Sequence, residues 1–169
     1  MKLFYVHHGM RDKGNPPSQD DGLKPLGKKD ALLTGKILKD VADRGYNLKA
    51  IYTSPYYRCK ETARLINKTL RVPIVEEPRF NEFTGVYYLI KNKKENSPKE
   101  SWVECQNRIQ EAIKEIVNKY DEKDMVVCVT SGVNISAFIN IAYGLKPSEK
   151  TPYPHVPSCS PIGFDITRS

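Results

Sequence analysis

Apolar residues in this chain fall into short runs that alternate between two spacings. Residues 2–7 contain the unbroken run Leu3-Phe4-Tyr5-Val6 and end in polar residues, as a buried strand does. From about 28 to 44, Leu33, Ile37, Leu38, Val41 and Ala42 recur at helical spacing, with Gly45 as a stop. Residues 49–53 read as a strand. Residues 55–69 read as a helix with Ser54 as N-cap and Pro55 at its first position. A further strand is expected at 72–76, followed by an irregular charged stretch from 79 to 100. Between Ser101 and Lys119, the spacing of Trp102, Cys105, Ile109, Ala112, Ile113 and Ile116 predicts a helix, opened by a Ser101/Glu104 capping box. Met125-Val-Val-Cys-Val129 is continuously apolar, as a strand buried on both faces must be. Residues 133–143 read as a buried helix and 163–167 as a last strand, while turn-forming residues fill 11–22.

Strands alternating with helices imply βαβ units. The predicted class is therefore α/β, a three-layer α/β/α sandwich around a largely parallel central sheet. A length of 169 residues fits one domain, 1–169. Hydrophobic residues at 39% are enough for a real core and too many for a disordered chain. No stretch approaches the roughly 18 unbroken apolar residues of a membrane span, so a soluble cytoplasmic protein without membrane contact is expected.

Charge and cysteine content narrow the picture further. Lys and Arg number 27 against 20 Asp and Glu, a net charge of +7. Most of the excess is lysine scattered over the chain, with one cluster at Lys91, Lys93, Lys94 and Lys99. Scattered charge without interleaved aromatics argues against nucleic acid, while a basic field still draws in anions such as phosphate esters. Cys59, Cys105, Cys128 and Cys159 form no C-x-x-C pair and read as reduced, packed thiols. His7 and His8 are neighbours on a strand, pointing to opposite faces, an arrangement ill suited to one metal ion.

Ligands of open α/β sheets bind at the carboxyl ends of strands. The first strand ends in His7-His8-Gly9 and the late buried strand in Thr130-Ser131-Gly132. The helix after Ser54-Pro55 brings a positive dipole end, with Arg58 in its first turn. Together these describe a candidate anion pocket. His155 lies far along the chain, in a turn with Pro152, Pro154 and Pro157, and is read as structural, with a place over the sheet edge that reaches the pocket as the alternative.

At this point a resemblance emerges. Leu3-Phe-Tyr-Val-His-His-Gly9 resembles the strand and R-H-G signature of the histidine phosphatase superfamily, the phosphoglycerate mutase-like proteins. Leu23-Lys-Pro-Leu-Gly27 with Ala31 is similar to the family's L-T-x-x-G-x-x-Q-A helix start. Tyr52-Thr-Ser-Pro-Tyr-Tyr-Arg-Cys-Lys-Glu-Thr-Ala63 resembles its S-x-x-x-R-A-x-x-T-A segment, the most specific match. Phe80-Asn-Glu82 with Gly85 is similar to L-x-E-x-x-x-G, one residue shorter, and Val127–Val133 resembles the V-S-H-G-G-V strand end. The matches run in family order over nearly the whole chain.

The resemblance implies phosphomonoester hydrolysis through a phosphohistidine on His8. It implies that His7, Arg58 and Ser131 occupy the positions that clamp the phosphoryl oxygens, and that Glu82 is the proton donor. It implies no metal and no organic cofactor. Two clamp positions depart from the pattern, because His7 replaces the R-H-G arginine and Ser131 replaces the second histidine. Met10 also stands where the family usually has Glu or Gln. Arg11, in the loop beyond the nucleophile, is a candidate replacement cation. Two readings follow: a weakened phosphatase, or a catalytically inactive pseudophosphatase that binds an anion or a protein. The segment 86–101 is short and Lys-rich, so an open basic groove is expected, taking a phosphorylated small molecule or a phosphoprotein. An open groove favours phosphatase over mutase chemistry.

Overall fold

A computed structural model describes residues 1–13, 21–83, 100–148, 150 and 155–167. The elements in chain order are β1 (Lys2–His7), α1 (Pro25–Ala42), β2 (Asn47–Thr53), α2 (Tyr57–Leu70), β3 (Ile74–Glu76), a 3-10 turn (Pro78–Phe80), α3 (Trp102–Lys119), β4 (Asp124–Thr130), α4 (Gly132–Ala142) and β5 (Pro161–Asp165). The five strands form one sheet in the order β3-β2-β4-β1-β5. β1 to β4 run parallel, and β5 closes the edge antiparallel to β1.

Alternation along the strands divides the core into two layers, because successive side chains point to opposite faces. Leu3 and Tyr5 of β1 join Tyr52, Val126 and Cys128 beneath α3 and α4, with Trp102, Ile109 and Phe138. Phe4 and Val6 join Ile51, Val127 and Val129 beneath α1 and α2, with Leu38, Ala63 and Ile66. This is the expected three-layer α/β/α arrangement. All residues of β4 are buried, which explains its unbroken apolar run. All four cysteines are free and buried.

The register aligns the strand ends that matter. His7 lies opposite Thr130, and the backbone N–H of His8 donates to the Thr130 carbonyl at 3.0 Å. Ser54 N–H donates to Val129 O at 3.0 Å. The carboxyl ends of β1, β2 and β4 therefore open onto one edge.

Three expectations need correction. Leu33 and Ile37 of α1 are exposed, and the buried face is Gly27, Ala31, Thr34, Gly35, Leu38 and Ala42. Small residues decide the face here because α1 lies close against α2. A Cβ on Gly35 would stand 2.7 Å from the Ile66 carbonyl oxygen. Helix α2 starts at Tyr57, so Ser54 and Pro55 lie outside it and Tyr56 is the N-cap residue. The Ser54 hydroxyl instead donates to Asn81 Oδ1 at 3.2 Å. The last strand ends at Asp165, earlier than expected, because its pairing with β1 begins at Pro161 opposite Val6. The capping box of α3 forms as predicted, in both directions.

Among the described residues no helix is long and apolar enough to cross a membrane. The lysine cluster at 91–99, Gly85, Pro152 and Pro154 lie outside the described residues.

Candidate active site

β1 ends at His7, so His8 is already released from the strand alternation and its ring turns back toward its neighbour. The two imidazoles meet edge to face with centroids 4.5 Å apart, rather than on opposite sides of the sheet as strand geometry alone predicts. His8 is buried, and its Nδ1 lies 2.9 Å from the Gly9 carbonyl oxygen. A carbonyl only accepts, so Nδ1 carries the proton and Nε2 keeps a free lone pair. That lone pair accepts from the Nε–H of Arg58 at 3.1 Å.

Arg58 comes from the first turn of α2 and is completely buried. Thr62, one turn later, ties this helix to the end of β1. It accepts from the Gly9 N–H at 2.9 Å and donates to the Arg58 carbonyl at 2.7 Å. The guanidinium stacks on Tyr56, with Cζ 4.7 Å from the ring centroid. Its Nη2 pairs with Glu82 Oε2 at 2.5 Å. Its Nη1 is buried with no hydrogen-bond partner among the described residues. Such an orphan costs on the order of 1–3 kcal/mol, and an anion's oxygen would satisfy it.

Glu82 follows the 3-10 turn, and that segment is pinned by Asn134 of α4. The Asn134 amide donates to the carbonyls of Phe80 and Asn81, both at 2.8 Å, and to Thr130 Oγ1 at 2.9 Å. Thr130 in turn donates to Phe80 O at 2.8 Å. The carboxyl group is thereby carried to the strand end where His7 emerges.

Electrostatics keep both histidines neutral. Burial, then the neighbouring His7, and to a lesser extent Arg58 and Arg11, hold the His8 pKa down at about 3, against the favourable bond to Gly9 O. His7 is lowered from its ordinary value chiefly by burial, opposed by its bond to Val156 O and by Glu82, with His155 and Arg58 lowering it further. His7 Nδ1 donates to Val156 O at 2.7 Å, so in the neutral ring Nε2 has a lone pair and no proton to offer.

The remaining sequence candidates separate. Ser131 is buried at the N-cap of α4, where its hydroxyl accepts from Asn134 N–H at 3.5 Å. Arg11 is engaged away from the histidines. It pairs by an isolated antiparallel bridge with Leu23, and its guanidinium lies 3.6 Å from Asp21. Its charge still reaches His8 from there. His155 was set apart by its distance in sequence, yet it lines one pocket of about 290 Å³ together with His7, Glu82, Gly132, Val133, Ser136 and Val156. Nothing in the sequence marks that proximity, because it depends on how the 155–160 segment returns to β1. Asn134 was also missed, since its bonds are to backbone carbonyls. Among the described residues, no three His, Cys, Asp or Glu side chains are gathered as a metal ion requires.

A buried histidine with a directed lone pair, an arginine against it and a carboxylate beside them thus stand together at the carboxyl edge of the parallel part of the sheet. The model of the histidine phosphatase superfamily (branch 1) matches residues 6–168, and the chain belongs to that family. The fold is shared with Bacillus stearothermophilus YhfR, at 23% identity and TM-score 0.78, over 98% of this chain and 91% of that one. It is shared with the alpha-ribazole phosphatase of Shigella flexneri, at 18% identity and TM-score 0.76, over 99% and 92%. It also matches the mycobacterial glucosyl-3-phosphoglycerate phosphatase Rv2419c, at 18% identity and TM-score 0.71, over 96% and 88%. No curated protein matches the chain.

Proposed function

We propose that this protein hydrolyses phosphomonoesters through a phosphohistidine on His8, at a rate reduced by a cation-poor site. The observation that carries this reading is the His8 tautomer. With Nδ1–H committed to Gly9 O, the nucleophilic lone pair sits on Nε2 beside Arg58. A phosphoryl group entering there takes over the Arg58 N–H donors, including the orphaned Nη1, and frees Nε2 to attack phosphorus.

In the first step an Nε2–P bond forms as the P–O bond to the leaving group breaks. Glu82, displaced from Arg58 as the phosphoryl group arrives, takes up a proton from solvent and gives it to the departing oxygen. Water then attacks phosphorus and loses a proton to the Glu82 carboxylate as the Nε2–P bond breaks, releasing inorganic phosphate and restoring His8. Membership of a phosphatase-bearing family, and the phosphatase names of two structural neighbours, support the reaction class.

The reduction in rate follows from donors. Neutral His7 offers no proton to an oxyanion, and Ser131, whose cap uses only an acceptor lone pair, offers an uncharged O–H where the family has an imidazole, so two charged donors are lost. Losing one preorganised donor typically costs about 10²–10³ in rate. Two losses correspond to roughly 10⁴–10⁶, tempered by non-additivity. That same poverty of donors favours the second reading, a pseudophosphatase that retains an anion site without turnover. Steady-state hydrolysis of p-nitrophenyl phosphate by wild type and His8→Ala separates the two. Activity lost in His8→Ala supports the enzyme; equal background rates support the binding module. A phosphorylated small molecule or a phosphoprotein is the proposed substrate class, with neither nucleic acid nor membrane as partner, a cytoplasmic setting and no cofactor.

A further inference from the structure

The pocket of about 290 Å³ beside the nucleophile has two imidazoles on its walls, His7 and His155, with Glu82 between strand end and solvent. The segment carrying His155 is stitched to β1. Val156 is buried in the core and accepts from the His7 ring at 2.7 Å, and Cys159 N–H donates to the His7 carbonyl at 2.9 Å. His155 therefore emerges from a fixed corner, with its own ring exposed at the pocket mouth.

The surrounding charges are few. His7 lines it from β1 and Glu82 from the segment after the 3-10 turn, while Arg58 of α2, buried behind them, pairs with Glu82 and acts on His7. From α4 come only Gly132, Val133 and Ser136, which carry no charge, and Gly132 presents the positive end of that helix dipole. His155 acts electrostatically on His7, so the two rings share one field. Ser131, next to the lining residue Gly132, accepts the helix-cap bond through its hydroxyl oxygen and brings no cation. The chain thus has an uncharged serine where the family carries its second histidine, and an exposed imidazole on the wall of the pocket beside it.

We infer that His155 is a phosphate-binding residue of this site, donating from its imidazolium to a phosphoryl oxygen and replacing from a different segment the imidazole absent at Ser131. This inference rests on the phosphatase reading above. It assigns a role to a residue outside the family motifs, and it accounts for the location of a Pro-flanked histidine at a corner clamped by His7.

Calorimetric titration of the full chain with inorganic phosphate near pH 6 tests it, using wild type, His155→Ala and His155→Arg. A charge-assisted hydrogen bond of this kind corresponds to roughly 10- to 100-fold in affinity. His155→Ala is expected to weaken phosphate binding by that factor, and His155→Arg to recover most of it. Because His155 is exposed, thermal midpoints of all three proteins should coincide, which separates lost binding from lost fold. Wild-type binding with His155→Ala unchanged overturns the inference and leaves the phosphatase reading intact. Failure of wild type to bind phosphate overturns both.

Discussion

At the scale of single residues, two adjacent histidines have opposite roles set by their hydrogen bonds. His8 is held neutral with Nε2 open, its pKa pressed to about 3 mainly by burial, so its nucleophilic form persists through the physiological range. The same shift has a stability consequence. Below the ordinary histidine pKa of about 6.5 the unfolded chain binds a proton that the folded chain refuses, so stability falls as pH falls. Between about pH 7 and pH 5 this one group removes about 2 kcal/mol. Denaturant melts should show that loss in wild type and a shallower one in His8→Asn; parallel slopes would contradict the assignment. His7 behaves differently, because its Nε2 can donate to a phosphoryl oxygen only when protonated. Its pKa is lowered, so turnover should climb as pH drops below about 6.5 and continue to climb toward pH 5. In His7→Gln the rise should be absent. Restoring the guanidinium fork in His7→Arg should raise kcat/KM on p-nitrophenyl phosphate at pH 7.5 by roughly 10- to 100-fold. An unchanged rate would mean that the missing arginine is not what limits the site.

At the scale of elements, helix α2 and the Asn134 bonds place the chemistry. Starting α2 at Tyr57 puts Arg58 in its first turn and Thr62 one turn on, where it bridges Gly9 to Arg58. Asn134 of α4 holds the segment that delivers Glu82. Asn134→Ala removes the donor that Asn134 gives to the Asn81 carbonyl and leaves Phe80 O with Thr130, an expected cost of about 1–3 kcal/mol. It should lower kcat more than it raises KM, because the carboxyl group is displaced while Arg58 remains. Unaltered kcat in a folded Asn134→Ala protein would remove Asn134 from the positioning of Glu82. The packing of α1 makes a separate point. Gly35→Ala drives a methyl group into the Ile66 carbonyl and should cost about 1–3 kcal/mol in chemical denaturation, whereas Leu33→Ala, on the exposed face, should cost little. A pattern search for large apolar residues chooses the wrong face here, since contact between the helices is made by Ala31 and Gly35.

At the scale of the whole molecule, the α/β class and the order of elements could be read from the chain, because β4 and α3 carry long, unmixed signals. That His8, Arg58 and Glu82 come together was also legible, since they stand in motifs with fixed spacing to strand ends. What could not be read depends on the return of distant segments to β1. His155 reaches the pocket through the pairing of β5 with β1 and the bonds of residues 156 and 159 to His7. Arg11, a candidate replacement cation, is paired with Asp21 beside its backbone bridge to Leu23. These contacts join residues separated by most of the chain, or by a loop whose ends happen to pair, and no local pattern encodes them. The central claim, a covalent phosphoryl group on His8, is tested most directly by rapid quench of the enzyme with excess p-nitrophenyl phosphate between about pH 5 and pH 8, followed by intact-mass analysis under alkaline conditions that preserve phosphohistidine. The account predicts a burst of nitrophenol matched by one added phosphoryl group on wild type, located at His8 and absent from His8→Ala. Product formation without a burst or a mass shift, and equal in the two proteins, would contradict it.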